Sequence, residues 1–181
     1  MPDVWAAFPD LDAAMQERLA GVLETRGADP QQRKMRETFL ADVPFPNDAR
    51  VLEVGCGTGV TTRTIALRPN VGTVVGVDVA PFLLNKARDL AQGLHNVTFR
   101  EADGRSLPFE AETFDVVVFD TTLTHVPGPE RALAEALRVL GTGKMPYPVP
   151  WAASRTSCLW TGRRLSHVAS SHPALSFRAL S

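Results

Sequence analysis

From Glu53 the chain reads Glu53-Val54-Gly55-Cys56-Gly57-Thr58-Gly59, with glycine at every second position from Gly55. Glycine accepts positive φ and has no Cβ, so such a run lets the main chain turn sharply and lets a ligand lie against it. The spacing excludes two phosphate binders. A dinucleotide fingerprint needs G-x-G-x-x-G, but here the third glycine comes one position early and Val60 holds the fingerprint position. A Walker loop needs Gly-Lys-Ser/Thr, which does not follow. The expected ligand approaches closely without presenting a diphosphate. Asp78 stands 23 residues after Gly55, near the spacing of roughly 20 residues for a ribose-binding acid. Its two oxygens can accept from two adjacent hydroxyls. An acid at a helix entry also suits the helix dipole, but the glycine turn before it favours the ribose.

These residues need elements to hold them. Val51–Val54, Thr73–Val77, Val97–Arg100 and Asp115–Phe119 read as short apolar strands. Thr61–Leu67, the segment opened by Pro81 and stopped at Gly93, and the segment from Pro129 to Gly141 read as helices. Two more helices precede them: Phe8–Gly27, then a segment capped by Asp29-Pro30 and ended by Pro44 and Pro46. Glu101–Thr113 is a loop around Pro108. Strands alternating with helices predict an α/β fold: a doubly wound, mostly parallel sheet flanked by helices. Ligands of such sheets bind beyond the carboxyl ends of the strands, where the glycine run, Asp78, residues 101–104 and the residues after Phe119 fall.

A chain of 181 residues and 19.6 kDa suggests one domain able to bury a real core. A net charge of −1 offers no basic field for nucleic acid, and no nucleic-acid partner is expected. No apolar run reaches the ~18 residues of a membrane span, and the start lacks a basic-then-apolar leader. Cys56 and Cys158 are too few for a disulfide framework, so a reducing, cytoplasmic setting is expected. No metal site is expected.

The stretch Val51 to Gly59 is similar to the signature of class I S-adenosylmethionine-dependent methyltransferases. Val74-Val75-Gly76-Val77-Asp78 resembles their second motif. Glu101-Ala102-Asp103-Gly104, with Leu107-Pro108-Phe109 and Phe114-Asp115-Val116-Val117, resembles the third. Leu123-Thr124-His125-Val126 and Glu135 to Leu140 resemble the region after it, so the likeness spans residues 30–140. The resemblance implies a Rossmann-like fold, S-adenosyl-L-methionine as cofactor and methyl transfer to a small-molecule acceptor. It implies that Gly55, Gly57 and Gly59 pack against the methionine part, with Cys56 and Thr58 supplying main-chain contact. Glu53 would lie near the cofactor amino group. Asp78 would take the ribose hydroxyls and Val79 the adenine face. Asp103 would accept from the adenine amine, with Ala102 and Gly104 alongside, and Asp120 and Thr121 would line the pocket near the sulfonium. Cys56 itself reads as a small residue tolerated in a tight loop.

The electrophile arrives activated, so the protein's task is in-line placement, worth up to about 7–11 kcal/mol in well-oriented cases. A base is needed only if the acceptor loses a proton. Histidine is the side chain whose ordinary pKa lies nearest neutrality, which makes His125 the candidate; a structural role beside a helix is the alternative. Asp120-Thr121-Thr122-Leu123 stands where DNA amino-methylases carry Asp/Asn-Pro-Pro-Tyr/Phe, and the Pro-Cys pair of cytosine-ring methylation is missing too. The two N-terminal helices are expected to cap the pocket, with Arg33 and Arg36 the cations to consider for the cofactor carboxylate.

Beyond Leu140 the pattern breaks. Residues 1–140 carry a net charge of −6, while 141–181 carry +5 and no acid. Pro146, Pro148 and Pro150 exclude a central strand there. The reading is a helical cap over 1–46, a cofactor-binding core over 47–141, and an atypical tail over 142–181 lacking the usual C-terminal strands. The tail resembles out-of-frame translation or a variant exon; a short family member whose tail folds differently is the alternative. Ser157–Trp160 or Leu165–Ala169 could form a short strand. Unless the tail covers it, the fourth strand would be a bare apolar edge inviting self-association. A non-catalytic cofactor-binding or scaffold module stays open as an alternative function, and the glycine spacing disfavours a nicotinamide oxidoreductase.

Overall fold

Four short β-branched runs make the parallel sheet of the computed structural model, which describes residues 4–5, 7–141 and 157–160. They are β1 (Ala49–Val54), β2 (Val71–Asp78), β3 (Val97–Glu101) and β4 (Val116–Asp120). Their order across the sheet is β3-β2-β1-β4, so the chain reverses its direction of travel between β1 and β4. Each strand lies within a residue or two of its sequence expectation.

Both faces of the sheet are covered because alternate side chains point opposite ways. Leu52, Val54, Val117 and Phe119 pack with Ala132, Leu133, Ala136 and Val139 of helix α5 (Pro129–Val139). Val51, Val74, Val116 and Val118 pack on the other face. There they meet Ile65 of α3 (Val60–Ala66) and Leu40 of α2 (Pro30–Ala41). Helix α4 (Pro81–Leu90) joins α1 (Ala13–Ala28) in a third cluster through Leu83, Ala20 and the buried Phe8.

The expected single helix Phe8–Gly27 is divided. Phe8–Asp10 form a 3-10 turn, Leu11 is extended, and α1 starts afresh behind Asp12, whose side chain accepts from Met15 N at 2.8 Å. Asp12 is a better N-cap than any residue at the start of the turn, so the helix begins where its free amides find an acceptor. Asp29 caps α2 as expected, accepting from Gln31 N and Gln32 N.

The outer edge of β4, bare only if the tail left it uncovered, is covered. Ser157–Trp160 form β5, antiparallel to β4, with Val118 opposite Leu159 and Asp120 opposite Ser157. The outer main-chain groups of β4 are thereby paired from Val117 to Asp120. Of the two short strands the sequence offered in this stretch, Ser157–Trp160 is the one present. The Leu165–Ala169 alternative and the rest of the proposed tail lie outside the described residues.

Candidate functional site

Strand register sets the rim. Val54 lies level with Val77 on one side and Phe119 on the other, so Gly55, Asp78 and Asp120 emerge together at the carboxyl ends. This is the place where the strand order reverses and where open α/β sheets bind ligands.

The turn after β1 needs its glycines for different reasons. Gly55 has φ 72°, and a Cβ there would run into the Thr122 side chain. Gly57 has φ 55°, and a Cβ would stand 3.0 Å from Leu23 Cδ1. Gly59, φ 78°, is the N-cap of α3; a Cβ there would come within 2.8 Å of the Phe99 ring. Gly59 does not line the cavity. That departs from the expectation that it contacts a cofactor: its place is helix-to-strand packing. The turn is braced from β2. Gly55 N and Cys56 N both donate to Val77 O, at 2.8 and 3.0 Å, and Gly57 N donates to Asp78 Oδ2 at 2.8 Å. Arg63 ties the turn to two helices, donating to Thr58 O at 2.6 Å and to Glu24 Oε2 at 2.9 Å.

Four acids stand around this turn. Asp78 also accepts from Ala80 N at 3.0 Å through Oδ1, and the Val79 amide is a further main-chain donor to the same carboxylate. Burial pushes its carboxyl above the ordinary value, against the pull of those amides. Glu53 is 2% exposed and accepts from the Thr62 hydroxyl. Burial first, then the nearby Asp120 and Asp78, push its carboxyl up to about 8. Asp120 accepts from Thr61 Oγ1 at 2.7 Å, so successive threonines of the first turn of α3 serve successive acids of the rim. Asp103 is clamped by Arg105, whose Nε reaches both oxygens at 3.0 Å and whose Nη2 reaches Oδ2 at 2.7 Å. That guanidinium holds the Asp103 carboxyl below its ordinary range. Burial raises the Cys56 thiol well above its ordinary value, which fits an inert residue in a tight loop.

Together these residues enclose a cavity of about 350 Å³. Its lining includes Glu53, Gly55, Cys56, Gly57, Thr58, Asp78, Val79, Ala102, Asp103, Gly104, Asp120, Thr121 and His125. Val79 is 48% exposed toward solvent, an apolar side chain awaiting cover. Gly104 comes so close to β1 that a Cβ would stand 2.6 Å from Val54 Cγ1. Thr121 holds φ 60°, a strained value for a β-branched residue, and its hydroxyl donates to Asp120 O at 2.7 Å.

The N-terminal helices contribute a roof that includes Leu23, Arg26, Gln32 and Arg36, joined by Trp5 and Phe8. Trp5 stacks on Phe8 with centroids 6.1 Å apart and meets the His125 ring at 6.4 Å. Arg33 does not line the cavity; Arg36 does, but donates to Thr64 Oγ1 and Gly27 O. Sequence reasoning missed Trp5, Thr61, Thr62, Thr122 and Arg105. A Thr-Thr pair just inside the helix after a glycine turn was a usable signal for two of them. Nothing local marked Trp5, which reaches the site through the fold.

The residues present fit a nucleoside carrying an amino-acid chain. Thr58 Oγ1 is buried in the cavity wall with no hydrogen-bond partner among the described residues, so a ligand atom can satisfy it. Asp78 presents a carboxylate to the cavity, the turn offers main chain without Cβ atoms, and Glu53 and Asp120 favour a cation. Among the described residues no His/Cys/Asp/Glu group could hold a metal ion, and no helix is long and apolar enough to cross a membrane.

The sequence profile of a family described as "methyltransferase domain" matches residues 51–143, just over half of the chain. The 2-methyl-6-phytyl-1,4-hydroquinone methyltransferase 2 of Oryza sativa chloroplasts is 36% identical over 134 residues, 70% of this chain and 38% of that protein. The demethylmenaquinone methyltransferase of Tropheryma whipplei (strain Twist) is 38% identical over 93 residues, 51% of this chain and 38% of that protein. The chain therefore spans about two-fifths of the length of these curated relatives. The crystal structure of the [4+2]-cyclase SpnF superposes with a TM-score of 0.58 at 30% identity, over 65% of this chain and 45% of that one.

Proposed function

The chain belongs to the methyltransferase-domain family, and from that premise we propose that it binds S-adenosyl-L-methionine and directs methyl transfer to a small-molecule acceptor by in-line displacement. One observation carries the reading. At a single rim stand a cradle without Cβ atoms, the buried hydroxyl of Thr58 with no partner among the described residues, and the carboxylate of Asp78 lining the same cavity.

In this reading Asp78 holds the ribose hydroxyls while it braces the turn. Val79 covers the adenine, and Ala102 and Gly104 flank its edge. Asp103 accepts from the exocyclic amine, aimed by Arg105. The main chain of Gly55 to Thr58 lies along the methionine, Glu53 faces its amino group, and Asp120 and Thr121 stand toward the sulfonium. The bound group supplies a methyl already activated by positive sulfur. The chain's own contribution is placement and the exclusion of water. His125 is the candidate base where the acceptor must lose a proton.

The acceptor side is formed by Trp5, Phe8, Leu23, His125 and Val126, which suits a flat, partly apolar molecule. Two relatives are named for hydroquinone and menaquinone substrates, and we take a hydroquinone-type ring as the acceptor class. The organisation is a helical cap over 1–46, a core over 47–141 and a tail over 142–181 that lends the core sheet one strand. The proposal keeps a reducing, cytoplasmic setting for the buried thiol of Cys56, and no nucleic acid takes part.

Two measurements test this. Calorimetry with S-adenosylhomocysteine should show binding that NADH does not. Labelled S-adenosylmethionine should then pass its methyl to a member of a hydroquinone panel. No binding refutes the cofactor reading, and binding without transfer to any acceptor reduces the chain to a cofactor-binding module.

A further inference from the structure

We propose that the site takes up its cofactor in exchange for a proton: as the ammonium-bearing end docks, Glu53 passes from carboxylic acid to carboxylate and its proton leaves to solvent. This rests on the cofactor reading above.

Geometry supplies the first half of the argument. Glu53 sits at the carboxyl end of the central strand β1 and is 2% exposed. Thr62 of α3 is its hydrogen-bond partner, through its hydroxyl and its main-chain amide, and among the described residues no cation pairs with it. The other groups facing it are Asp78 from β2, Asp120 from β4 and the neutral thiol of Cys56 in the turn. The cations and the histidine that line the same cavity are engaged elsewhere or stand apart. Arg36 donates to Thr64 and Gly27, Arg105 to Asp103, Arg26 makes no bond to Glu53, and His125 lies against Trp5. A buried carboxylate among other acids, lacking a counter-ion, is costly, so the carboxyl keeps its proton. The value of about 8 agrees with that conclusion.

Sheet order supplies the second half. Asp103 follows β3 and Asp78 ends β2, so the nucleoside end of the ligand belongs over that side of the rim. Its amino-acid end then falls over β1 and β4, onto Glu53 and Asp120. An ammonium group arriving there is the counter-ion Glu53 lacks. The step balances simply: the O–H bond of Glu53 breaks, the proton goes to buffer, and the carboxylate pairs with an ammonium that keeps its own protons.

Calorimetry of the full chain with S-adenosylhomocysteine, in two buffers of different ionisation enthalpy, counts the protons. At pH 7 the expected release is about 0.9 proton per ligand. The affinity should tighten about tenfold between pH 6 and pH 7. 5′-Methylthioadenosine, which lacks the amino-acid end, should bind without proton release, and Glu53→Gln should abolish the release seen with S-adenosylhomocysteine. Should that variant fail to fold, the wild-type comparison of the two ligands decides alone. Binding of S-adenosylhomocysteine with no proton release, or equal release in Glu53→Gln, overturns the proposal and leaves the cofactor reading standing. No binding at all overturns the cofactor reading and the proposal with it.

Discussion

Asp78 is a support before it is a ligand. Its oxygens hold Gly57 N and Ala80 N, so the acid that would grip the sugar also shapes the turn beneath it. Asp78→Asn keeps the size but replaces one acceptor with an amide donor, leaving one of those main-chain N–H groups without its partner. S-Adenosylhomocysteine affinity should fall by about 1–3 kcal/mol, with a lower Tm. Titration calorimetry on the folded variant checks this, and an unchanged affinity would remove Asp78 from ribose binding. The sequence pointed to Asp78 through its spacing from the glycine turn and the motif it ends. It did not disclose the double use, because that depends on where Gly57 N lies in space.

At the scale of elements, the glycine turn and the segment after β4 are two halves of one lock. Thr122 Oγ1 donates to Gly55 O at 3.1 Å, and its side chain occupies the space a Cβ on residue 55 would need. Gly55→Ala should therefore lose about 1–3 kcal/mol from positive φ, with further loss from the collision. Thr122→Gly in the same chain should restore part of that loss. Thermal denaturation of the two single variants and the pair reads the coupling, and strictly additive losses would show that the two segments do not compete for that space. Strand β5 makes a second element-scale prediction. Ending the chain at Gly141 removes the outer partner of β4 and exposes the main chain from Val117 to Asp120. The shortened protein should self-associate as its concentration rises, in sedimentation velocity runs where the full chain does not. Equal behaviour of both would mean that β5 does not protect the edge.

Across the whole molecule, the buried acids set the response to pH. The folded state holds the Glu53 carboxyl at about 8, above its ordinary 4.5. Between those values the fold keeps a proton that the unfolded chain has released. This contribution is complete below pH 4.5 and is lost as the pH rises through 8, with a limiting slope of about 1.4 kcal/mol per pH unit. Asp78, also raised, acts with the same sign from its own ordinary value upward. Asp103 and Glu135 are lowered by Arg105 and Arg138, so they act oppositely and lose stability only as the pH falls below the carboxylate range. Both pairs are partly exposed and contribute little. The Tm of the ligand-free chain should decline from pH 5 to pH 8, and Glu53→Gln should flatten that decline. A Tm independent of pH over this interval would mean that Glu53 is ionised in the free protein.

The strands, the parallel sheet, the glycine turn and the acids at its rim were all legible in the residues, because strand period, glycine spacing and chain order are local properties. So was the cap on α2, written in Asp29-Pro30. The break between Asp10 and Ala13 was not, since it turned on which acid found a free amide. Nor was the role of Gly59, which depends on Phe99, forty residues away, arriving against it. Ser157–Trp160 was one of two candidate strands in the sequence, and its pairing with β4, which offers main chain beside it, was decided by the tertiary structure. The proton on Glu53 also belongs to the tertiary structure: a glutamate in a sequence is ordinarily charged, and it is the packing of β1 between β2 and β4 that strips away its water.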